Sequence, residues 1–252
     1  MGFSRVVEVG TTRSTNADLM AELGLAPARW PDLSVLVARR QKAGRGRVGR
    51  EWVTPAAGAL TCSVVLDPRE ALPPSWVPLL VGLAMRRALA AWVPVGLKWP
   101  NDLVTAETSP DPAWGWGRKV GGILCELHPS GRVVAGIGVN CRQAGAELPV
   151  PWATSLASVM GDAAAPAPAD VLVALGESLD QVLEDWRADP AAVRAEYAGA
   201  CVTLGERVRV ERPGGGVVAG VARAIDTDGA LLVEGEDGAV RVVDVGDVHR
   251  VR

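Results

Sequence analysis

Short β-branched runs alternate with longer apolar runs of helical spacing through the first four-fifths of the chain. Residues 6–9, 35–38 and 60–66 read as strands, because β-branched side chains suit a pleated, half-buried surface. Residues 75–93 form an apolar stretch of helical length, and a strand follows at 95–99. The runs 119–127 and 132–139 are joined by His128-Pro129-Ser130-Gly131, which predicts a hairpin turn. After an Ala/Pro connector at 163–168, residues 170–187 place Val171, Leu172, Leu175, Leu179, Val182, Leu183 and Trp186 at helical spacing. A shorter helix is expected over 190–197, with Pro190 suited to its first turn. Near the start, Thr12-Arg13-Ser14-Thr15-Asn16 precedes an amphipathic stretch with Leu19, Met20 and Leu23. Thr15 and Asp18 look like a capping pair, so a helix begins there.

After about Gly199 the texture changes to short β-rich runs at 208–210, 217–225, 231–234, 240–243 and 249–251. Pro213-Gly214-Gly215-Gly216, Asp228-Gly229 and Asp237-Gly238 separate them, and Asp-Gly pairs favour tight hairpins. The expectation is an α+β molecule: a mixed-sheet domain over 1–199 and a small closed β-barrel over 200–252, closure being one way to remove exposed edges.

Composition narrows the classes. The chain has 252 residues, a formal net charge of -3, and 48% hydrophobic and 22% charged residues, which gives no global pull toward nucleic acid or an anionic membrane. Cys62, Cys125, Cys141 and Cys201 form no Cys-x-x-Cys pair and read as reduced thiols in a reducing compartment. The start lacks a secretory pattern, no run is long enough to span a membrane, and a cytoplasmic location is expected.

Five segments carry candidate chemistry. Gly44-Arg45-Gly46-Arg47-Val48-Gly49-Arg50, with Gln41 before it and Trp52 after it, lies in a stretch of six basic and no acidic residues between Arg39 and Arg50. Its glycines let backbone approach a ligand and its arginines offer forked donors to phosphate or carboxylate; a solvated basic turn is the plainer alternative. Lys98-Trp99-Pro100-Asn101-Asp102 ends a strand with groups able to bind phosphate or a divalent cation, or simply forms a turn. In the run from Arg118 to Leu127, strand alternation puts Lys119, Gly121, Ile123 and Cys125 on one face. Gly136, Gly138 and Asn140 end the partner strand, where Asn140 suits an adenine edge or a turn. Ser14, Thr15 and Asn16 stand at a helix N-terminus, where free amides and hydroxyls meet polar groups.

In this order, Ser14-Thr15-Asn16, Gln41 with residues 44–50 and Trp52, residues 98–102, Lys119 with Gly122-Ile123-Leu124, and residues 136–140 closely resemble the biotin protein ligases. The resemblance implies an SH2-like, class II synthetase-like catalytic domain followed by an SH3-like barrel. It also implies two steps at one site: biotin and MgATP give biotinyl-5′-AMP, then a lysine of the biotin carboxyl carrier domain of an acyl-CoA carboxylase takes the biotin. By the same resemblance Ser14, Thr15, Asn16, Gln41, Arg45, Gly46, Arg47, Lys119 and Gly122 would line the biotin site. Arg45, Arg47, Arg50, Trp52, Lys98, Asn101, Asp102 and Asn140 would serve ATP, and Asp102 would hold Mg2+. Lys119, Arg47 and Asp102 would be the catalytic set.

Residues 107–117, with Trp114 and Trp116, look like an insertion forming a surface hairpin or flap. The chain starts almost at the catalytic domain, so a DNA-binding repressor role is not expected, and a monomer or weak homodimer is. Two rivals remain: a lipoyl or octanoyl transferase using Cys125 as nucleophile, and a nucleic-acid binder using residues 39–50.

Overall fold

The structure, a computed structural model, describes residues 2–52, 58–68, 72–111, 114–161 and 164–251. Of the expected segments, residue 163 of the connector and residues 112–113 of the insertion lie outside the described residues. In chain order the first elements are β1 (Arg5–Thr12), α1 (Thr15–Leu25), β2 (Ser34–Gln41), β3 (Gly44–Arg45), β4 (Glu51–Trp52), β5 (Ala59–Leu66) and α2 (Val77–Leu89). Then come β6 (Gly96–Lys98), β7 (Asp102–Thr108), β8 (Gly117–Leu127), β9 (Val133–Asn140), α3 (Leu156–Met160), α4 (Pro168–Ala188) and α5 (Pro190–Ala200). The last five are β10 (Arg207–Glu211), β11 (Val217–Ile225), β12 (Leu231–Glu234), β13 (Val240–Val243) and β14 (Asp247–Arg250).

Seven strands form one mixed sheet in the order β1-β2-β5-β9-β8-β7-β6. Its only parallel pair, among the described residues, is β1 with β2. Alternation sends Leu60, Cys62, Val64 and Leu66 of β5, and Val133, Ala135, Ile137 and Val139 of β9, into the main core under α2 and α4. The other face carries α1, where Leu19 and Leu23 pack on Trp30, Leu36, Val65 and Val134. Helix α1 is capped one residue earlier than the sequence suggested: Ser14 Oγ accepts from Ala17 N at 3.4 Å. Thr15 is the first helical residue, and Asp18 accepts instead from the Thr12 hydroxyl. The cap is Ser14 because it, not Thr15, keeps the extended backbone that aims a hydroxyl at a free helix amide.

Strand β7 was not foreseen. Its run Asp102–Thr108 supplies only one aromatic or apolar alternation before turning polar, and pairing with β8 settles it. The expected insertion is therefore the end of β7, its connection, and the start of β8. Its tryptophans are not on a surface flap: Trp116 is buried and belongs to the main core, with Trp114 packed against it.

The register of β7 on β8 slips between Leu103 and Val104, so that Leu103 faces Gly121 while Val104 faces Lys119. This bulge takes Lys119 off the face expected to hold Lys119, Gly121, Ile123 and Cys125 together, because an extra residue reverses the alternation, while the regular register from Gly121 onward leaves the other three on one face. Ile123 enters the core, whereas the Lys119 ammonium lies 3.2 Å from where a Cβ on Gly122 would stand.

The C-terminal strands form a five-stranded antiparallel sheet, β13-β12-β11-β10-β14. Among the described residues its edges β13 and β14 do not pair with each other, so the expected closed barrel appears as an SH3-like sheet without a closing ladder. Two buried indoles, one just before α2 and one just after β6, tie it to the rest of the chain: Trp76 Nε1 donates to Thr227 O at 2.7 Å and Trp99 Nε1 to Gly229 O at 3.0 Å. Among the described residues no helix is long and apolar enough to cross a membrane.

Candidate active site

A cleft of about 940 Å3, counting its open mouth, lies between the outer face of β5, β9 and β8, the loop after β2, and the first residues of β14. One end is neutral. Parallel pairing sets Gln41 beside Thr12 at the end of β1, within reach of the first turn of α1. Gln41 Oε1 accepts from Thr15 N at 2.8 Å and from Thr15 Oγ1 at 3.1 Å. Ser63 Oγ, from β5, lies 2.7 Å from Thr15 Oγ1 and 2.5 Å from Asn16 Oδ1. Asn16 Nδ2 donates to Leu124 O at 3.0 Å and Glu126 Oε2 at 2.8 Å. Arg45 Nη2 reaches the same Glu126 oxygen at 2.7 Å. Ser14, Thr15, Asn16 and Ser63 are all buried, and this mesh meets the demand that buried polar groups be paired.

The floor is glycine. Cross-strand pairing puts Gly122 opposite Gly138 and Leu124 opposite Gly136. A Cβ on Gly136 would run into the Asn16 amide, and one on Gly138 into the Trp52 ring. The flat floor thus lets Trp52, held in the small β3–β4 ribbon, lie against the sheet. Trp52 Nε1 and Thr61 Oγ1, both lining the cleft, are buried without a protein partner among the described residues. Such orphan groups fit a ligand that completes them.

The other end is charged. Lys119 Nζ contacts Asp102 Oδ1 at 2.5 Å, and Lys98 Nζ contacts Asp102 Oδ2 at 3.5 Å. Burial pushes the Asp102 carboxyl up, but Lys119 and then Lys98 outweigh it and hold the group below its ordinary value. Burial pulls Lys98 down; Asp102 opposes this and Lys119 adds to it. Asn101 donates through Nδ2 to Ile123 O at 2.8 Å and accepts at Oδ1 from Arg47 Nη1 at 3.3 Å. Arg47 Nη2 also donates to Gly246 O at 3.3 Å, and Arg50 pairs with Asp247. Burial lowers the Arg47 value, against the pull of Asp247 and Asp102. Just before Arg47, Gly46 N donates to Arg50 O at 2.7 Å, and Val48, exposed at the loop tip, has a φ of 53°, a conformation that costs a β-branched residue strain.

The cleft therefore gathers Ser14, Thr15, Asn16, Gln41, Arg45, Gly46, Arg47, Arg50, Trp52, Lys98, Asn101, Asp102, Lys119 and Gly122. Asn140 is not among its lining residues: its Nδ2 donates to Thr154 O at 3.0 Å and its Oδ1 accepts from Gln143 at 3.1 Å. Sequence reasoning missed Ser63 and Glu126, which carry no motif, and Gly246, Asp247 and His249, which enter the cleft only because the C-terminal sheet docks. Both Asp102 oxygens already face ammonium groups, and no cluster of three or more His, Cys, Asp or Glu stands ready for a metal among the described residues. The protein alone does not present a magnesium cage; phosphate oxygens would have to supply most of the ligands. Cys125 is a poor nucleophile, because burial and then Glu126 push its thiol well up.

A mixed sheet with a polar cleft, an arginine loop and a small docked antiparallel sheet defines a ligase of the biotin/lipoate class, and the comparisons agree. The chain belongs to the biotin/lipoate A/B protein ligase family, which matches residues 9–143; the biotin protein ligase C terminal domain matches residues 203–250. It is similar to the biotin–[acetyl-CoA-carboxylase] ligase of Mycobacterium tuberculosis, 38% identical over 100% of this chain and 91% of that protein. The enzyme of the same name from Paracoccus denitrificans is 35% identical over 90% of this chain and 93% of its own length. Among solved structures, the biotin protein ligase from Aquifex aeolicus in complex with biotin and ATP has a TM-score of 0.78 and 27% identity, covering 99% of this chain and 100% of that one.

Proposed function

We propose that this protein is an ATP-dependent biotin–[biotin carboxyl-carrier protein] ligase, with residues 1–199 as catalytic domain and 200–252 as C-terminal domain. The observation that carries the reading is the cleft itself: a neutral hydrogen-bonded end and a cationic end joined by a glycine floor. A bicyclic urea with a carboxylate tail fits that polarity, its ring amides at Ser14, Thr15, Asn16 and Gln41 and its carboxylate toward Lys119.

In the first step a biotin carboxylate oxygen attacks the α-phosphorus of ATP, the bond to the β-phosphate oxygen breaks, and pyrophosphate leaves. Two anions must meet, and Lys119, Arg47 and Lys98 offset their repulsion and stabilise the charge that develops. Mg2+ would be held mainly by the ATP phosphate oxygens, with Asp102 nearby, and would supply charge neutralisation there. Arg45, Gly46 and Arg50 belong to the loop over the adenylate, Trp52 packs beside the base, and Asn101 steadies Arg47. Asn140 acts at a remove, holding Thr154 and Gln143 behind the floor. In the second step the acceptor lysine amine attacks the acyl carbon, AMP leaves, and the amine gives up a proton; Asp102 positions the incoming group. The acceptor is the carrier domain of an acyl-CoA carboxylase, the setting is the cytoplasm, where four free thiols persist, and neither DNA nor membrane is a partner. The working form is a monomer or weak homodimer.

The test is biotin-dependent ATP–pyrophosphate exchange, followed by transfer to a carrier domain. Exchange without biotin transfer to the carrier would remove the acceptor assignment, and no exchange would remove the ligase. An octanoyl adduct on Cys125 after incubation with an octanoyl donor would favour the transferase instead.

A further inference from the structure

Asp102 is one carboxylate between two ammonium groups. One negative charge cannot compensate both, and Lys98 and Lys119 repel each other across it. Lys98 is also buried, at 5% exposure, so water does little to keep it charged. Beside Lys98 stand two indoles of the connection between β7 and β8. The Lys98 ammonium lies 4.9 Å from the ring centre of Trp114 and 5.6 Å from that of Trp116, within the range where an indole face attracts a cation.

Trp114 is itself fixed. Its Nε1 donates to Gly117 O at 2.7 Å, and its ring stacks on Trp152 with centres 5.6 Å apart and planes 10° from parallel. The backbone of Trp152 is tied in turn to Lys119: Lys119 N donates to Trp152 O at 2.7 Å, and Thr154 N donates to Lys119 O at 2.8 Å. The side chain of Lys98 and the backbone of Lys119 are thus linked through one pair of stacked rings.

We propose that the Trp114–Trp152 stack is a positioning device that holds Lys98 and Lys119 together as two cations at the phosphate end of the cleft. Trp114 and Trp152 act through the lysines and are positioning residues. The inference rests on the ligase reading above, since it assigns the pair the task of drawing biotin's carboxylate onto the α-phosphorus.

The experiment measures biotin-dependent ATP–pyrophosphate exchange on the full chain with Trp114→Phe and Trp114→Leu. Leucine fills space without a ring face, so kcat should fall about three- to thirtyfold, with the KM for biotin unchanged, because the ring-binding end is untouched. Phenylalanine keeps a ring face and should restore kcat to within about threefold of the parent. Should Trp114→Leu not fold, Trp152→Leu serves: it removes the stack, leaves Trp114 beside Lys98, and should lower kcat about two- to fivefold. Unchanged kcat in the leucine variants, an equal loss in the phenylalanine variant, or a loss appearing in biotin KM alone would overturn the proposal. Absence of exchange in the parent protein would instead overturn the ligase reading.

Discussion

The two ends of the cleft are built from the same sheet by opposite means. At the neutral end, Thr15, Asn16, Ser63 and Gln41 satisfy one another, and the charge present is confined to the rim pair of Arg45 and Glu126. At the cationic end, Lys98 and Lys119 share a single carboxylate and Arg47 is half-buried beside them. A saturated network specifies shape, because each group has one geometry in which it is paired. An under-compensated cluster specifies charge, because it gains most when an anion arrives. Binding and chemistry should therefore separate along the cleft.

The sharpest way to break this comparison is Lys119→Ala. Removing that cation leaves Asp102 with only Lys98 and takes away the charge nearest the reacting carboxylate. Exchange should fall about a hundredfold or more, and a KM effect without loss of kcat would reverse the assignment of the two ends. Next comes the floor between them. Gly138→Val drives a side chain into Trp52, at a cost of about 1–3 kcal/mol. KM for ATP should rise about ten- to hundredfold, and titration calorimetry finding parental ATP affinity would show that the ring's seat does not matter. At the neutral end Ser63→Ala removes one hydroxyl from the mesh, about 0.5–1.5 kcal/mol. The KM for biotin should rise about three- to tenfold with kcat intact; a fall in kcat would merge the two ends. Smallest is Asp247→Asn, which weakens a partly exposed ion pair to Arg50 by about 0.2–1 kcal/mol. Adenylate escape, measured as stray biotinylation of bystander lysines, should increase at most about fivefold. No increase would make the C-terminal sheet a support without influence on the loop.

The legibility of the site follows the same division. Residues that must be particular types on one short segment, such as the arginine loop or the run from Lys98 to Asp102, announce themselves by spacing. Ser63 and Glu126 do not, because a serine inside an apolar strand and a glutamate near a hairpin have ordinary structural uses; only the pairing of β5 and β8 with β9 brings them to Asn16. Asn140 ends a strand that reaches the cleft, yet its amide turns to Thr154 and Gln143, and nothing local in the sequence states which way a strand-end side chain points. The strand β7 escaped notice because its continuation, Glu107 and Thr108, is polar and its pairing is broken by a bulge.

What the sequence determined by itself was local: the helices at 170–187 and 190–197, the hairpin at His128–Gly131 read from its turn residues, the β-rich tail, and the order of five motifs that identifies the family. Periodicity and turn chemistry act over a few residues, so a single chain displays them. The tertiary structure decided which face each motif uses. A one-residue bulge turned Lys119 from the core side to the cleft, two indole hydrogen bonds brought Asp247 to the loop arginines, and a connection that reads as an insertion became the aromatic wall behind Lys98. Those outcomes depend on contacts between residues far apart in the chain, where a shift of one position reverses a side chain's direction.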